Sequence, residues 1–557
     1  MSAAAGDGGG IMRSQIAKVA LIAACATAAG FAAIHFVRGR RSQATEKEKK
    51  CNGSAANSAK LNFMKLKEDG NRLFLQKRYE EAIKVFSEII NAEENAPKDL
   101  VAVAFQNRAA CKQLCGNCPE EDAVADCTAA IRLKRDYARA YARRARLQRR
   151  LAPQKALVDV MAAVHLDGKF EDTLKDIVGE IITSVMQQKP SVVEATEPLP
   201  ITHNQVYTWL AKSFEDEVIT KRYYACLADR KWETKLELAL KAISEVQFER
   251  ALELAAEEES STAQAAEAAL LSARLRLFQG LTGKYEEELK RFDALLTCGE
   301  VLLEDEEREL RKSALLLRIH AASDLDEIKA LVEEGVTSFG SSPDLFMAAA
   351  ISCLQRGVES MDAALDFLND NRCQATTRTR ILTFVASFRQ MLENPSMYRL
   401  MPRFEQLVTA LPDDDIDRDW ARLALATAYT LFGQIDGANE LISALIAKKT
   451  PWCIYHTIKL QLELQQGHME EARAIAADIL RLEPGNAEAI ASVRSVDMHA
   501  DGNTLKPHFV YDAWLAEVTP LLTRSRGTPE HPFQPELAYL AMFLRARREA
   551  ALALEIQ

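Results

Sequence analysis

Apolar and small residues recur along this chain at helical spacing, and the spacing itself repeats. Leu66, Gly70, Ala82 and Phe86 stand at intervals of 4, 12 and 4. Each has a physical part in a pair of packed helices. Gly70 lets the helices approach closely, Ala82 is the small residue at their crossing, and Phe86 fills the groove between them. The segment "KRYEEA" (77–82) is the turn into the second helix. A second copy runs through Phe105, Ala109, Ala123, Cys127 and Ala130, and its turn, "CGNCPEED", carries two extra residues. A third has Tyr141, Ala145, Ala156, Val160 and Ala163, with one residue missing. A period of about 34 residues is the mark of stacked helix–turn–helix units, and about three are needed for a stable stack. Phe170, Leu174, Ile177, Ile181 and Val185 then predict an amphipathic helix that caps its exposed end.

These intervals match the tetratricopeptide (TPR) pattern. Pro190, Pro198 and Pro200 break the periodicity, so 188–203 reads as a linker. Helical periodicity resumes and continues to about residue 497. One unit there has Ala426, Tyr429, Ala438 and Ile442, and the next has Leu460, Ala472, Ala476 and Pro484. "LTGKYEEEL" (281–289) reads as another repeat turn, and 300–410 as helical with degenerate repeats. The fold class predicted is all-α: a TPR helical-repeat superhelix in two blocks, 59–187 and 204–497. Residues 498–557 read as a C-terminal helical cap.

The N-terminus has a different texture. Residues 1–18 are a flexible tail, and Val19 to Val37 run without a charge if His35 is neutral. That length is close to the ~20 residues that span a bilayer as a helix. Arg38, Arg40, Arg41, Lys47, Lys49 and Lys50 follow in a polar, basic linker, 38–58. The alternatives are a buried helix and a cleaved secretory signal, whose apolar core is shorter and is not followed at once by a basic cluster. The retained anchor, with the basic flank and the rest of the chain in the cytosol, fits better. Eleven scattered cysteines make no disulfide framework and agree with a reducing compartment.

The 557 residues contain 23 Gly and 17 Pro, fewer than average usage gives, which argues against a turn-rich sandwich or a mainly disordered chain. A net charge of −10 disfavours global nucleic-acid binding. No catalytic motif is visible: the histidines form no His-Glu-x-x-His, and there is no Gly-x4-Gly-Lys-Ser/Thr or Gly-x-Ser-x-Gly. The expectation is a non-enzyme without cofactor or metal. Cys111, Cys115, Cys118 and Cys127 invite a zinc reading, but a single Cys-x2-Cys is a weak signal. Cys111 and Cys127 also fall on small-residue packing positions, which makes buried or loop thiols the better reading.

Chemistry gathers on the first helices of the three N-terminal repeats. Lys67 and Asn71 are i and i+4, Asn107 takes the matching face of the second repeat, and Arg139 and Arg143 are i and i+4 on the third. Cations and amides alone suit a carboxylate-rich ligand, since Arg grips a carboxylate in bidentate fashion. The bland alternative is a solvated basic stripe, because 134–150 hold eight bases and one acid; its functional variant would bind RNA or lipid headgroups. Aromatic interleaving for nucleic acid is poor: Tyr137 and Tyr141 both fit the repeat packing.

Lys67-x3-Asn71, Asn107 in "QNRAA", and Arg139-x3-Arg143 in "RAYARRA" resemble the dicarboxylate clamp of chaperone-binding TPR domains. The family's commoner choice at the place of Arg139 is Lys. The resemblance implies a clamp for the C-terminal Glu-Glu-Val-Asp tails of the cytosolic 70- and 90-kilodalton heat-shock chaperones. An N-terminal anchor, a basic linker, the clamp, "LVDVMAAVHLDG" (157–168), "EPLPITHNQVYTWLAKSFEDE" (197–217) and a second TPR region are similar in layout to the 70-kilodalton preprotein import receptors of the mitochondrial outer membrane. That likeness is good over 59–220; beyond it rests on helical repeats alone, and no residue is carried over there. It implies a receptor that docks chaperones, accepts their preprotein clients and works with other translocase subunits. The rival readings are a membrane-anchored TPR co-chaperone on the endoplasmic reticulum or a plastid, and a TPR scaffold without a chaperone partner.

Overall fold

A computed structural model describes residues 54–92, 96–186, 198–211, 217–258, 261–299, 302–356, 360–394, 398–413, 415–524 and 535–556. The predicted anchor, Val19 to Val37, and the basic residues after it lie outside the described residues. Among the described residues no helix is long and apolar enough to cross a membrane. Their regular structure is helical, with no strand.

The chain divides into two compact units. The first begins with α1 (Ser54–Leu75), α2 (Tyr79–Asn91), α3 (Lys98–Cys115), α4 (Glu120–Leu133), α5 (Ala138–Gln148), α6 (Pro153–Leu166) and α7 (Phe170–Met186). Residues 54–58, read from the sequence as the end of the linker, already belong to α1. The packing follows from side-chain size. A Cβ on Gly70 would lie 2.7 Å from Cε1 and Cζ of Phe86, so only glycine allows the observed approach of α1 and α2. Ala82 and Phe86 are fully buried there. Ala109, Ala123, Cys127, Ala130, Tyr141, Ala145, Ala156, Val160 and Ala163 are buried at their predicted positions, as are Leu174, Ile177 and Ile181 of the capping helix. Gly70→Ala is expected to lower stability by up to about 2 kcal/mol, because overpacking costs roughly 1–3 kcal/mol and the helix-propensity gain offsets only ~1 kcal/mol of it. Chemical denaturation measures this, and an unchanged midpoint would show that Phe86 moves aside freely.

The second unit is built from α8 (His203–Ala211), α9 (Val218–Asp229), α10 (Lys235–Ser244), α11 (Phe248–Ala256), α12 (Thr262–Phe278), α13 (Thr282–Cys298), α14 (Glu304–Ala321), α15 (Leu325–Phe339), α16 (Pro343–Gln355), α17 (Met361–Leu368), α18 (Thr377–Ala386), α19 (Phe388–Glu393), α20 (Leu400–Ala410), α21 (Ile416–Leu431), α22 (Ile435–Ile446), α23 (Ile454–Gln466) and α24 (Met469–Leu482). Part of the Pro-rich stretch belongs to it. Leu199 and Ile201 are buried, and Leu199 N–H donates to the Gln279 carbonyl at 3.0 Å.

One turn recurs at the joints of helix pairs in both units. Arg78, Gln247, Leu281, Gln434 and His468 each donate their N–H to the carbonyl five residues back, closing the preceding helix just before the next begins. The residue before each has positive φ: Gly280, Gly433 and Gly467 supply it without strain, whereas Lys77 and Val246 adopt it with a Cβ. The segment "LTGKYEEEL" is such a joint.

After α24 the chain returns to the first unit. Of α25 (Ala487–Asp501) and α26 (His508–Arg524), the portion 494–520 belongs there, together with α27 (Pro535–Ala553). α27 packs along α6 and, less extensively, on α7, burying Leu540, Leu544 and Ala550. The 501–506 turn is tied down by the Asn503 amide on Glu171, the Leu505 N–H on His165 Nδ1 and Arg547 on the Gly502 carbonyl. The sequence marks 498–557 only as a cap; the structure places α27 on α6 and α7, the last helices of the first unit's repeat stack.

Candidate functional site

The inner helices α1, α3 and α5 are linked by side chains drawn from the predicted set. Asn107 Nδ2 donates to Asn71 Oδ1 at 2.9 Å, joining α3 to α1. Arg143 Nη1 donates to Gln113 Oε1 at 2.7 Å, and the Tyr137 hydroxyl donates to Gln106 Oε1 at 3.3 Å. Gln106 and Gln113 are seven residues, two turns, apart on α3, so these bonds are two rungs between α3 and α5. Lys67 lies one turn before Asn71 on α1 and is half-buried; Arg139 is exposed, one turn before Arg143 on α5.

Charge separates these residues from their basic neighbours. Of the eight bases in 134–150, four have acidic partners: Lys134 pairs with Asp99 at 3.5 Å, Arg135 with Glu555, Arg144 with Asp159 at 2.7 Å and Arg149 with Glu180 at 3.8 Å. Arg139, Arg143, Arg146 and Arg150 have none among the described residues.

Arg143 is the unusual member. Its Nε is buried and has no hydrogen-bond partner. Burial pushes its guanidinium below its ordinary value. The groups acting on it are Cys127, Arg146, Cys111 and Tyr137, with no carboxylate among them. The two thiols cannot serve as counterions at neutral pH, because burial pushes both up to about 12. A half-buried cation without an anion costs free energy, and an entering carboxylate would lower that cost. Arg146, three residues on, is half-buried, and burial lowers its guanidinium as well. Arg146 is not part of the predicted set; its i+7 spacing from Arg139 and i+3 from Arg143 is the signal that it shares their face.

The adjacent arginines do something else. Arg108 donates Nε and Nη2 to Asp126 at 2.9 and 2.6 Å and reaches Ser87 Oγ at 3.0 Å. Arg144 repeats the figure on Asp159 at 2.8 and 2.7 Å, and reaches Thr128 Oγ1 at 3.1 Å. Each guanidinium thus ties the second helix of its own repeat to that of the repeat before. Although burial opposes its charge, Asp159 holds Arg144 above its ordinary value. The "stripe" is therefore two sets of bases, paired and unpaired, interleaved along one segment that extends beyond both ends of α5.

Cys115, which ends α3, and Cys118, in the turn after it, are partly exposed, while Cys111 and Cys127 are buried. These four do not converge on a metal-binding group among the described residues.

In the second unit a cavity of about 570 Å³ opens between α9, α10, α12 and α14. Asp229, Glu233, Glu237, Glu267, Glu306 and Glu309 line it, against Lys221, Arg222 and Lys231. Arg222 is taken up by Glu267 at 2.5 and 2.6 Å. The remaining excess of acid favours a cationic occupant.

No family model matches the chain. It is similar to the mitochondrial import receptor subunit tomm-70 of Caenorhabditis elegans, 29% identical over 210 residues. The match covers 34% of this chain and spans about a third, 35%, of that relative's length. Among solved structures, the yeast Tom70 crystal structure is matched over 88% of this chain and 96% of that one, at 14% identity and a TM-score of 0.43. The P58(IPK) TPR domain is matched over 79% and 98%, at 12% identity and a TM-score of 0.21.

Proposed function

We propose that this chain is a mitochondrial outer-membrane import receptor, held by an N-terminal anchor, whose first unit docks the carboxylate tails of cytosolic heat-shock chaperones. The observation that carries this reading is Arg143: a half-buried guanidinium with a buried, unpartnered Nε and no acidic partner, beside the Asn71–Asn107 amide pair. The ligand is a peptide end carrying two carboxylates, as Glu-Glu-Val-Asp does. Arg143 and Arg146 receive one, Lys67, Asn71 and Asn107 the other, and Arg139 steers from the exposed rim. The resemblance noted in the sequence and the 29% identity to an import receptor subunit support the same assignment.

The second unit accepts the client. Its acid-lined cavity suits a segment that is basic and partly apolar. Keeping chaperone and client on one chain raises the client's effective concentration at that site. The roles are those of a docking protein, with no bond made or broken.

Titration of a Glu-Glu-Val-Asp peptide against the whole chain tests the docking step, with the C-terminally amidated peptide as the second arm. Saturable binding that amidation weakens at least tenfold is expected. Equal affinity for both peptides would remove the carboxylate reading. For the client step, a basic targeting peptide should crosslink to the second unit even when saturating chaperone-tail peptide is present. Crosslinks confined to the first unit, or none at all, would make the second unit a spacer.

A further inference from the structure

We propose that His203 Nδ1, Cys453 Sγ and a Glu483 carboxylate oxygen form a buried site for one zinc ion that staples the start of the second unit to its last repeat. One ring nitrogen of His203, Cys453 Sγ and a Glu483 carboxylate oxygen all lie within 4.8 Å of one another. They come from three places: His203 opens α8, Cys453 immediately precedes α23, and Glu483 immediately follows α24. His203 and Glu483 are 280 residues apart in sequence, yet the His203 N–H donates to Glu483 Oε1 at 3.1 Å.

Two features point to a cation as the ligand. His203 Nδ1 is buried without a hydrogen-bond partner, in a residue only 5% exposed. Glu483, 8% exposed, has no Lys or Arg partner among the described residues, although its Oε2 accepts from Cys453 Sγ at 3.2 Å and from Asn486 Nδ2 at 2.7 Å. Buried acids are normally paired with a cation or bound to a metal. The remaining ring nitrogen of His203 meets the Pro451 backbone, the outer contact that fixes a metal-binding imidazole with its other nitrogen facing the ion.

The donor set selects the metal. One nitrogen, one sulfur and one oxygen suit zinc at about 2.0–2.3 Å, whereas calcium and magnesium require oxygen shells. Asn486 Oδ1 is already used by the Ala489 N–H at 2.9 Å, so the fourth position falls to water. Binding replaces the Cys453 S–H bond by a Zn–S bond and releases the proton to solvent. Thiolate, carboxylate and a 2+ ion with a neutral imidazole sum to zero charge, which makes the buried arrangement affordable.

The test is cobalt(II) chloride added to the chelator-treated whole chain, read by absorption spectroscopy. One equivalent of bound cobalt with a thiolate-to-cobalt charge-transfer band is expected, and zinc chloride should displace it. Cys453→Ser should abolish the band, His203→Gln should weaken binding at least tenfold, and Cys298→Ser, at an exposed thiol, should change neither. Absence of the band in the unaltered protein overturns the site, and that arm does not depend on any variant folding. A band that survives Cys453→Ser assigns the metal to other thiols and also overturns it.

Discussion

Arg143→Ala is expected to weaken the Glu-Glu-Val-Asp peptide by about 2–5 kcal/mol, roughly 30-fold or more, as truncating one partner of a buried, hydrogen-bonded charge pair does. The size follows from where Arg143 sits. It is the predicted cation with a buried, unsatisfied donor, and its surroundings supply neutral thiols and a phenol rather than an acid. In the variant the peptide carboxylate would enter a desolvated place with nothing to pair. Arg139→Ala removes a charge from an exposed position, so its effect should stay near 1 kcal/mol and shrink with added salt. Arg146→Ala, half-buried, should fall between them. Arg143→Lys should not rescue, because an ammonium cannot bind a carboxylate through two parallel hydrogen bonds. Calorimetric titration of these four proteins and of Arg150→Ala gives the ranking. Equal losses for Arg143, Arg146 and the exposed Arg150 would mean a diffuse basic surface instead of a clamp.

Glu217→Ala is expected to cost the second unit about 3–5 kcal/mol, the penalty for stranding one member of a buried ion pair. Glu217 and Arg274 are each 2% exposed and pair at 3.0 Å. The same carboxylate accepts from Trp209 Nε1 at 2.9 Å and Thr220 Oγ1 at 2.5 Å, and the Arg274 guanidinium lies 5.6 Å from the Trp209 ring centre. One carboxylate therefore holds α8, the start of α9 and α12 together. Removing it leaves a buried guanidinium and two donors without an acceptor. The double variant Glu217→Leu/Arg274→Met should recover much of the loss, since no charge is then stranded. Denaturant midpoints of the two proteins decide this. A single variant as stable as the double would mean that water reaches Arg274. Because α9 also lines the acidic cavity, client crosslinking should fall with the single variant and return with the double.

The two-unit organisation also governs how the clamp is best studied. A fragment ending at 187 has the predicted repeats but lacks α27. The apolar faces of α6 and α7 that α27 covers would then be open to water. Docking measurements therefore belong on a chain that retains its C-terminus.

Much of this was set by local pattern. The repeat intervals located the helix pairs, because residue size at a crossing decides how near two helices come: Gly70 opposite Phe86 is legible without coordinates. The same holds for the clamp candidates, since i, i+4 spacing fixes which side chains share a helix face. The sequence could not sort the bases of 134–150. Arg143 and Arg144 are neighbours of identical chemistry, and only the arrival of Asp159 from the next helix makes one a structural tie and leaves the other unpaired. Nor could it bring together Glu217 and Arg274, or His203, Cys453 and Glu483, because those contacts depend on how many helix pairs separate them and how the pairs stack. The position of α27 is the plainest case. Its pattern says only that a helix forms; that it returns to α6, far back in the chain, is decided by which apolar face the finished stack leaves uncovered.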